Sequence, residues 1–163
     1  MSDAGICPFH DLLDMQTDVL ERTMCVNLHN AYLLVQADRM VHQAWRGAIV
    51  AISSISALVG GEFPHYTPTN AGDHSLMQSV AIAIGRYRNR CNSVLPGTIL
   101  TDINADDLAD AVKCERMITR TPLGHLGQPD DVAAPIIFLA SHMARHVTGA
   151  ALLVDGVAYV NLQ

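Results

Sequence analysis

Lysine is almost missing from this chain of 163 residues: Lys113 is the only one, and the formal net charge is -6 with a pI near 5.6. A surface that grips a phosphate backbone needs Lys and Arg clustered on one face, so no nucleic-acid partner is expected. Charge of either sign is scarce, with 16% charged against 50% hydrophobic residues, a balance too apolar for a disordered chain. Yet no uncharged stretch reaches the ~18 residues of a membrane span, so no membrane partner is expected either. The four cysteines, Cys7, Cys25, Cys91 and Cys114, form no C-x-x-C. That spacing argues against a zinc site and against a compact disulfide framework, and suits reduced thiols in a cytoplasmic setting. The opening MSDAGICPFHDLLD carries acidic residues where a secretory signal has basic ones, and no apolar segment follows.

What is present reads as one domain over residues 1–163, without internal repeats, low-complexity runs or linkers. Apolar residues recur at helical spacing from Thr17 to Gln43, predicting a long helix broken near its middle. GAIVAISS is a short apolar, β-branched run bounded by glycine and serines, as expected of a strand buried on both faces of a parallel sheet; RCNSVLPG reads as another buried strand closed by Pro-Gly, and GAALLVDG as the last strand. Between them lie three helical segments: Thr67–Arg88 with Pro68 at its start, a polar one over 106–118, and 127–146 with Asp130 and Asp131 at its positive end. Strands alternating with helices predict an α/β fold with a parallel sheet. His142 and His146 are four apart and could share a metal, but a zinc site needs three or four ligands, so no metal is expected. The methionines at apolar positions, among them Met77 and Met143, read as core filling.

Several motifs then fall in a familiar order: DAGI, VNLHNAY, AISSISA, YTPTNAG, RCNSVLPGTILTD, GHLGQPDDVA and TGAALLVDG. Together they resemble the short-chain dehydrogenase/reductases over nearly the whole chain, and ISSISALVGGEFPHYTPT, YRNRCNSVLPGTI and LLVDGVAYVNLQ are most similar to the fungal L-rhamnose-1-dehydrogenases of that family. The resemblance implies the C-terminal part of a Rossmann-like doubly wound sheet, NAD or NADP as cofactor, and a small sugar or alcohol as substrate. Ser54 would hydrogen-bond the substrate oxygen, Tyr66 would exchange its proton, and Asn27 would hold a helix and a relay water. Asn70 stands at the position of the family's catalytic lysine. Pro96, Gly97, Ile99 and Thr101 would flank the nicotinamide, while Asp3, Ala4 and Gly5 would border the adenosine side. Taken singly, Ser54 reads as a strand-end serine, Tyr66 as half-buried packing and Asn27 as a helix residue satisfied by backbone. Homo-oligomerisation through the two long helices, Thr17 to Gln43 and Thr67 to Tyr87, is also implied.

The chain departs from the family pattern at identifiable points. No G-x-x-x-G-x-G precedes Asp3, and about three βα units of the usual size are expected to be absent, leaving an N-terminally truncated domain and a cofactor choice that cannot be read. Asn70 replaces an ammonium that would lower the pKa of Tyr66, and neither His65, which faces another way, nor Lys113, in a different helix, replaces it. Asp3 puts an anion where the family has asparagine, Trp45 occupies a loop that is usually glycine-rich, and Val157 follows VDG where a second glycine is usual. Ser54 and Tyr66 are one position closer than the family spacing, which could pull the serine away from the tyrosine. The expectation is an impaired or inactive oxidoreductase, with a non-catalytic interaction subunit or a functionless gene fragment as the alternatives.

Overall fold

The computed structural model describes residues 4–37 and 47–161. Asp3 and Trp45 lie outside the described residues, as does the end of the first expected helix. Three parallel strands, β1 (Ala48–Ile52), β2 (Arg90–Pro96) and β3 (Ala151–Val154), form a sheet in the order β1-β2-β3. They are the three runs expected from the sequence, each trimmed at its Gly or Ser ends. α3 (Tyr66–Gly85) makes the β1 to β2 crossover. Between β2 and β3 come α4 (Ala105–Ala109), α5 (Ala111–Thr119) and α6 (Pro129–Ala140).

Alternation along the strands explains why helices cover both faces. Ile49, Ala51 and Cys91 pack with Met77, Val80, Ala81 and Ile84 of α3 on one face. Val50, Ile52, Val94 and Leu152 pack with Val132, Ile136 and Leu139 of α6 on the other. Successive strand residues point to opposite faces, so a strand apolar at every position needs cover on each. Burial of each large side chain here contributes about 1.5–3 kcal/mol. The doubly wound arrangement expected from the sequence is therefore the one observed.

The helices differ from expectation in instructive ways. Before β1, α1 (Thr17–Met24) and α2 (Asn30–Ala37) are joined without interruption by a π-helical turn, Cys25–His29. The expected break is thus a widening of the helix, and such turns concentrate at functional positions. The polar helix expected over 106–118 is divided at Asp110, whose backbone turns extended (ψ 111°) and whose carboxylate accepts from Val112 N and Lys113 N. An aspartate that satisfies free N-H groups starts a new helix rather than continuing the old one. α6 ends at Ala140, short of the expected 146, because Ser141 is extended and Arg90 donates to the carbonyls of Leu139 (2.6 Å) and Ser141 (3.0 Å). Met77 lies in the core, but Met143 is solvent-exposed, against the expectation that both fill it.

Candidate active site

The carboxyl ends of parallel strands collect the loops that bind ligands, and the candidate residues gather at that end. β1 runs out into Ser53 and Ser54. Ser54 has an extended backbone, and its Oγ accepts from Ser56 N at 3.1 Å, starting a short 3-10 turn, Ile55–Ala57. α3 then begins at Tyr66, one residue earlier than expected, so that Pro68 falls inside the first turn, where a missing N-H is tolerated. Ser53 ties the two pieces together by donating to the carbonyl of Asn70 at 3.0 Å.

The side chains of Ser54 and Asn70 both stand near enough to the Tyr66 hydroxyl to lower its pKa. The shortened spacing therefore leaves serine and tyrosine in contact. Burial first and Cys7 second raise the pKa of Tyr66 above its ordinary value, outweighing the influence of Asn70 and Ser54, which favours the phenolate. Asn70 is itself buried and its Nδ2 donates to the Tyr66 carbonyl at 2.9 Å, a bond along the helix that a lysine side chain would not be held by. Tyr66 keeps its proton at neutral pH.

Asn27 occupies the middle of the π turn, where its amide is fully engaged. Its Oδ1 accepts from Ile6 N at 2.8 Å, while Nδ2 donates to Ile6 O at 2.9 Å and to Thr69 Oγ1 at 3.2 Å. Thr69 in turn donates to the Tyr66 carbonyl at 2.7 Å. The side chain thus locks the helix to the segment leading out of Gly5 and to α3. Ala4 and Gly5 are exposed; a Cβ added at Gly5 would meet Asn27 Oδ1 at 3.8 Å, an ordinary contact.

Pro96 ends β2, and Gly97, Ile99 and Thr101 follow it. Gly97 N donates to Val154 O, and a Cβ at Gly97 would stand 2.9 Å from the Cβ of Asp155. Here glycine is required for the loops after β2 and β3 to touch. Ile99 is buried and bridges to Gly127, its carbonyl accepting from Asn104 at 2.7 Å, and Thr101 is exposed. A cavity of about 560 Å³ opens between Ile6, Cys7 and Pro8 on one side, Arg22 on α1, and Asp102 beyond Thr101, with His10 at its edge. Burial and then Asp107 push the Cys7 thiol up to about 11.

Three residues here escaped the sequence reading. Cys7 lines the cavity, Thr69 links Asn27 to Tyr66, and His65 bonds Pro8. Only adjacency to Tyr66 and to the D-A-G stretch marked them out. Lys113 lies on α5, as expected in a different helix from Tyr66, and is exposed and paired with Asp107 at 2.6 Å. No group of three potential metal ligands occurs among the described residues, and no described helix is long and apolar enough to cross a membrane.

A family profile described as Enoyl-(Acyl carrier protein) reductase matches residues 1–156. A protein of Sphingomonas sp. named L-rhamnose 1-dehydrogenase (NAD(P)(+)) is 69% identical over the whole chain, and L-rhamnose-1-dehydrogenase of Scheffersomyces stipitis is 52% identical. The chain spans 65% and 64% of the length of those two relatives. Among solved structures, a gluconate 5-dehydrogenase from Burkholderia cenocepacia in complex with NADP and tartrate aligns with a TM-score of 0.94 at 28% identity, covering 98% of this chain and 63% of the other.

Proposed function

The chain belongs to the short-chain dehydrogenase/reductase family, and from that membership we propose that it carries the proton-exchanging and substrate-contacting side of a sugar or alcohol dehydrogenase site, with L-rhamnose or a close relative as substrate. The observation that carries this reading is the convergence of Ser54 and Asn70 on the Tyr66 hydroxyl. Tyr66 holds the exchangeable proton, Ser54 orients the substrate oxygen, and Asn27 fixes the start of the Tyr66 helix through Thr69 while holding Ile6. The cavity's lining, from Gly5 to Pro8 with His10, Val19, Arg22, Asp102 and Ile103, includes Ile6 but none of Ser54, Tyr66 or Asn70.

A nicotinamide cofactor fits these residues only in part. Family membership would put the loop from Pro96 to Thr101 beside a nicotinamide, but these 163 residues contain no G-x-x-x-G-x-G to let the backbone approach a pyrophosphate. Asn70 is neutral and its amide is drawn toward Tyr66 O rather than toward a ribose. On their own these residues therefore bind NAD or NADP weakly, and the tyrosine is poised to donate a proton rather than to accept one.

The test is NADH or NADPH formation with L-rhamnose from about pH 7 to about pH 10. Its four arms are the chain as it stands, Asn70→Lys, the chain extended by a family-type dinucleotide-binding half, and both changes together. Background activity is expected in the first two, slow turnover rising with pH in the third, and the highest rate in the fourth. Full neutral-pH activity in the third arm would refute the role given to position 70. A second reading, a non-catalytic subunit that pairs through its long helices, is favoured by the exposure of Tyr32, Leu33 and Leu34 on α2 and of Ile82 on α3.

A further inference from the structure

We propose that His65 is a positioning residue: its imidazole staples the Ile6–Pro8 wall of the cavity to the turn that launches α3, and so sets the distance between that wall and the Tyr66 hydroxyl. His65 is 1% exposed, and its Nε2 lies 2.8 Å from the carbonyl oxygen of Pro8. A carbonyl only accepts, so Nε2 carries the proton and Nδ1 is the bare acceptor. That Nδ1 is buried without a partner. The ring thus spends its one useful bond on a residue 57 positions away in the sequence.

The wall it holds is stiff for independent reasons. Asn27 grips both the N-H and the carbonyl of Ile6, Pro8 has a fixed φ, and a residue before proline is kept out of the helical region. Cys7 is therefore pinned from both ends: by Asn27 on one side, by His65 on the other. Both clamps terminate on the elements that carry the candidate site, the π turn and the first turn of α3. The T-shaped contact of His10 with His65, 6.5 Å between ring centres, adds a second tie to the same wall. The staple rests on geometry alone and stands whether or not the chain turns over a substrate.

Cys7 supplies a readout that needs no activity. Its thiol lines the cavity, whereas Cys91 is fully buried in the core and Cys25 is exposed. The experiment is the rate of iodoacetamide alkylation of each cysteine, resolved by peptide mass spectrometry, in the wild-type chain, His65→Asn and His65→Gln. Gln places its amide N-H near the position of Nε2, whereas Asn is too short to reach Pro8. Loss of one buried bond that closes a local segment is expected to raise Cys7 labelling by roughly tenfold in His65→Asn. Cys91 labelling should stay unchanged there, and His65→Gln should keep the wild-type rate at both. Should His65→Asn expose Cys91 as well, His65→Gln decides: wild-type rates in it support the staple, and selective labelling of Cys7 in it overturns it. An unchanged Cys7 rate in a folded His65→Asn overturns it outright.

Discussion

Asp73 is a carboxyl buried in the core. It lies on the sheet-facing stripe of α3 with Asn70, Met77 and Val80, is 5% exposed, and its Oδ1 has no hydrogen-bond partner. Burial pushes its carboxyl from 3.8 up to about 6. The folded state therefore holds its proton more tightly than the unfolded chain does. Stability from this group is fully present below the unfolded value of 3.8 and is lost as pH rises through about 6. At about 1.4 kcal/mol per unit, the charged carboxylate costs the fold about 3 kcal/mol at pH 7, a sizeable share of the ~5–15 kcal/mol that holds a domain together. Asp73→Asn removes the charge with little change of shape. Urea unfolding of both proteins from about pH 3.5 to about pH 8 measures the difference. Relative to the wild type, the variant should gain about 3 kcal/mol between the two ends of that range, nearly all of it in the window between 3.8 and about 6. A stability difference that is flat across the window would show that the carboxylate is paired or hydrated in solution, and the reasoning from burial would fail.

Other positions give sharper single tests. Val157 sits at φ +75°, where a β-branched side chain is strained, so Val157→Gly should stabilise the chain by about 1 kcal/mol in thermal melting; a lower Tm would refute this. Arg90→Met should cost about 1–3 kcal/mol and loosen the end of α6 in hydrogen exchange, because three carbonyls from Leu139 to Ser141 lose their donor. Asn70→Lys should lower the onset of tyrosinate absorption for one of the four tyrosines, since an ammonium beside Tyr66 favours the phenolate; an unchanged titration would place the new charge in solvent. β1 pairs on one side only among the described residues, and an apolar strand with a free edge invites a second chain, so sedimentation should show association that rises with concentration.

The fold was legible where the signal is local and repeated. GAIVAISS announces a strand because it is apolar up to its closing serines, RCNSVLPG and GAALLVDG are short runs closed by turn residues, and both sheet faces do carry helices. Element ends were less legible, since they depend on partners far away in sequence. Nothing near Ala140 says that Arg90 will cap it across 49 positions, and nothing in the apolar spacing of 17–43 says that its midpoint is a π turn held by Ile6. Asp110 was the exception, a helix start legible in principle because it caps its own neighbours.

The candidate site divides along the same line. Tyr66 and Asn70 could be placed together from a four-residue spacing, because a helix fixes that geometry by itself. Ser54 could not: spacing alone suggested that one missing residue would draw it away from the tyrosine. The structure keeps the contact because the serine is held by β1 and the tyrosine by α3, and those two elements are locked to each other by Ser53 on the Asn70 carbonyl. The shortened segment between them is a surface loop, rich in Gly60, Gly61 and Pro64, that absorbs the deletion. It follows that a further one-residue deletion at Gly60 or Gly61 should leave the Ser54 to Tyr66 contact intact, while Ser53→Ala, which shortens nothing, should weaken it. The pKa of Tyr66 reads the difference, because the influence of Ser54 lowers it. Tyrosinate titration should shift upward in Ser53→Ala and stay put in the loop deletion; the reverse pattern would mean that loop length, and not the strand-to-helix lock, sets the geometry.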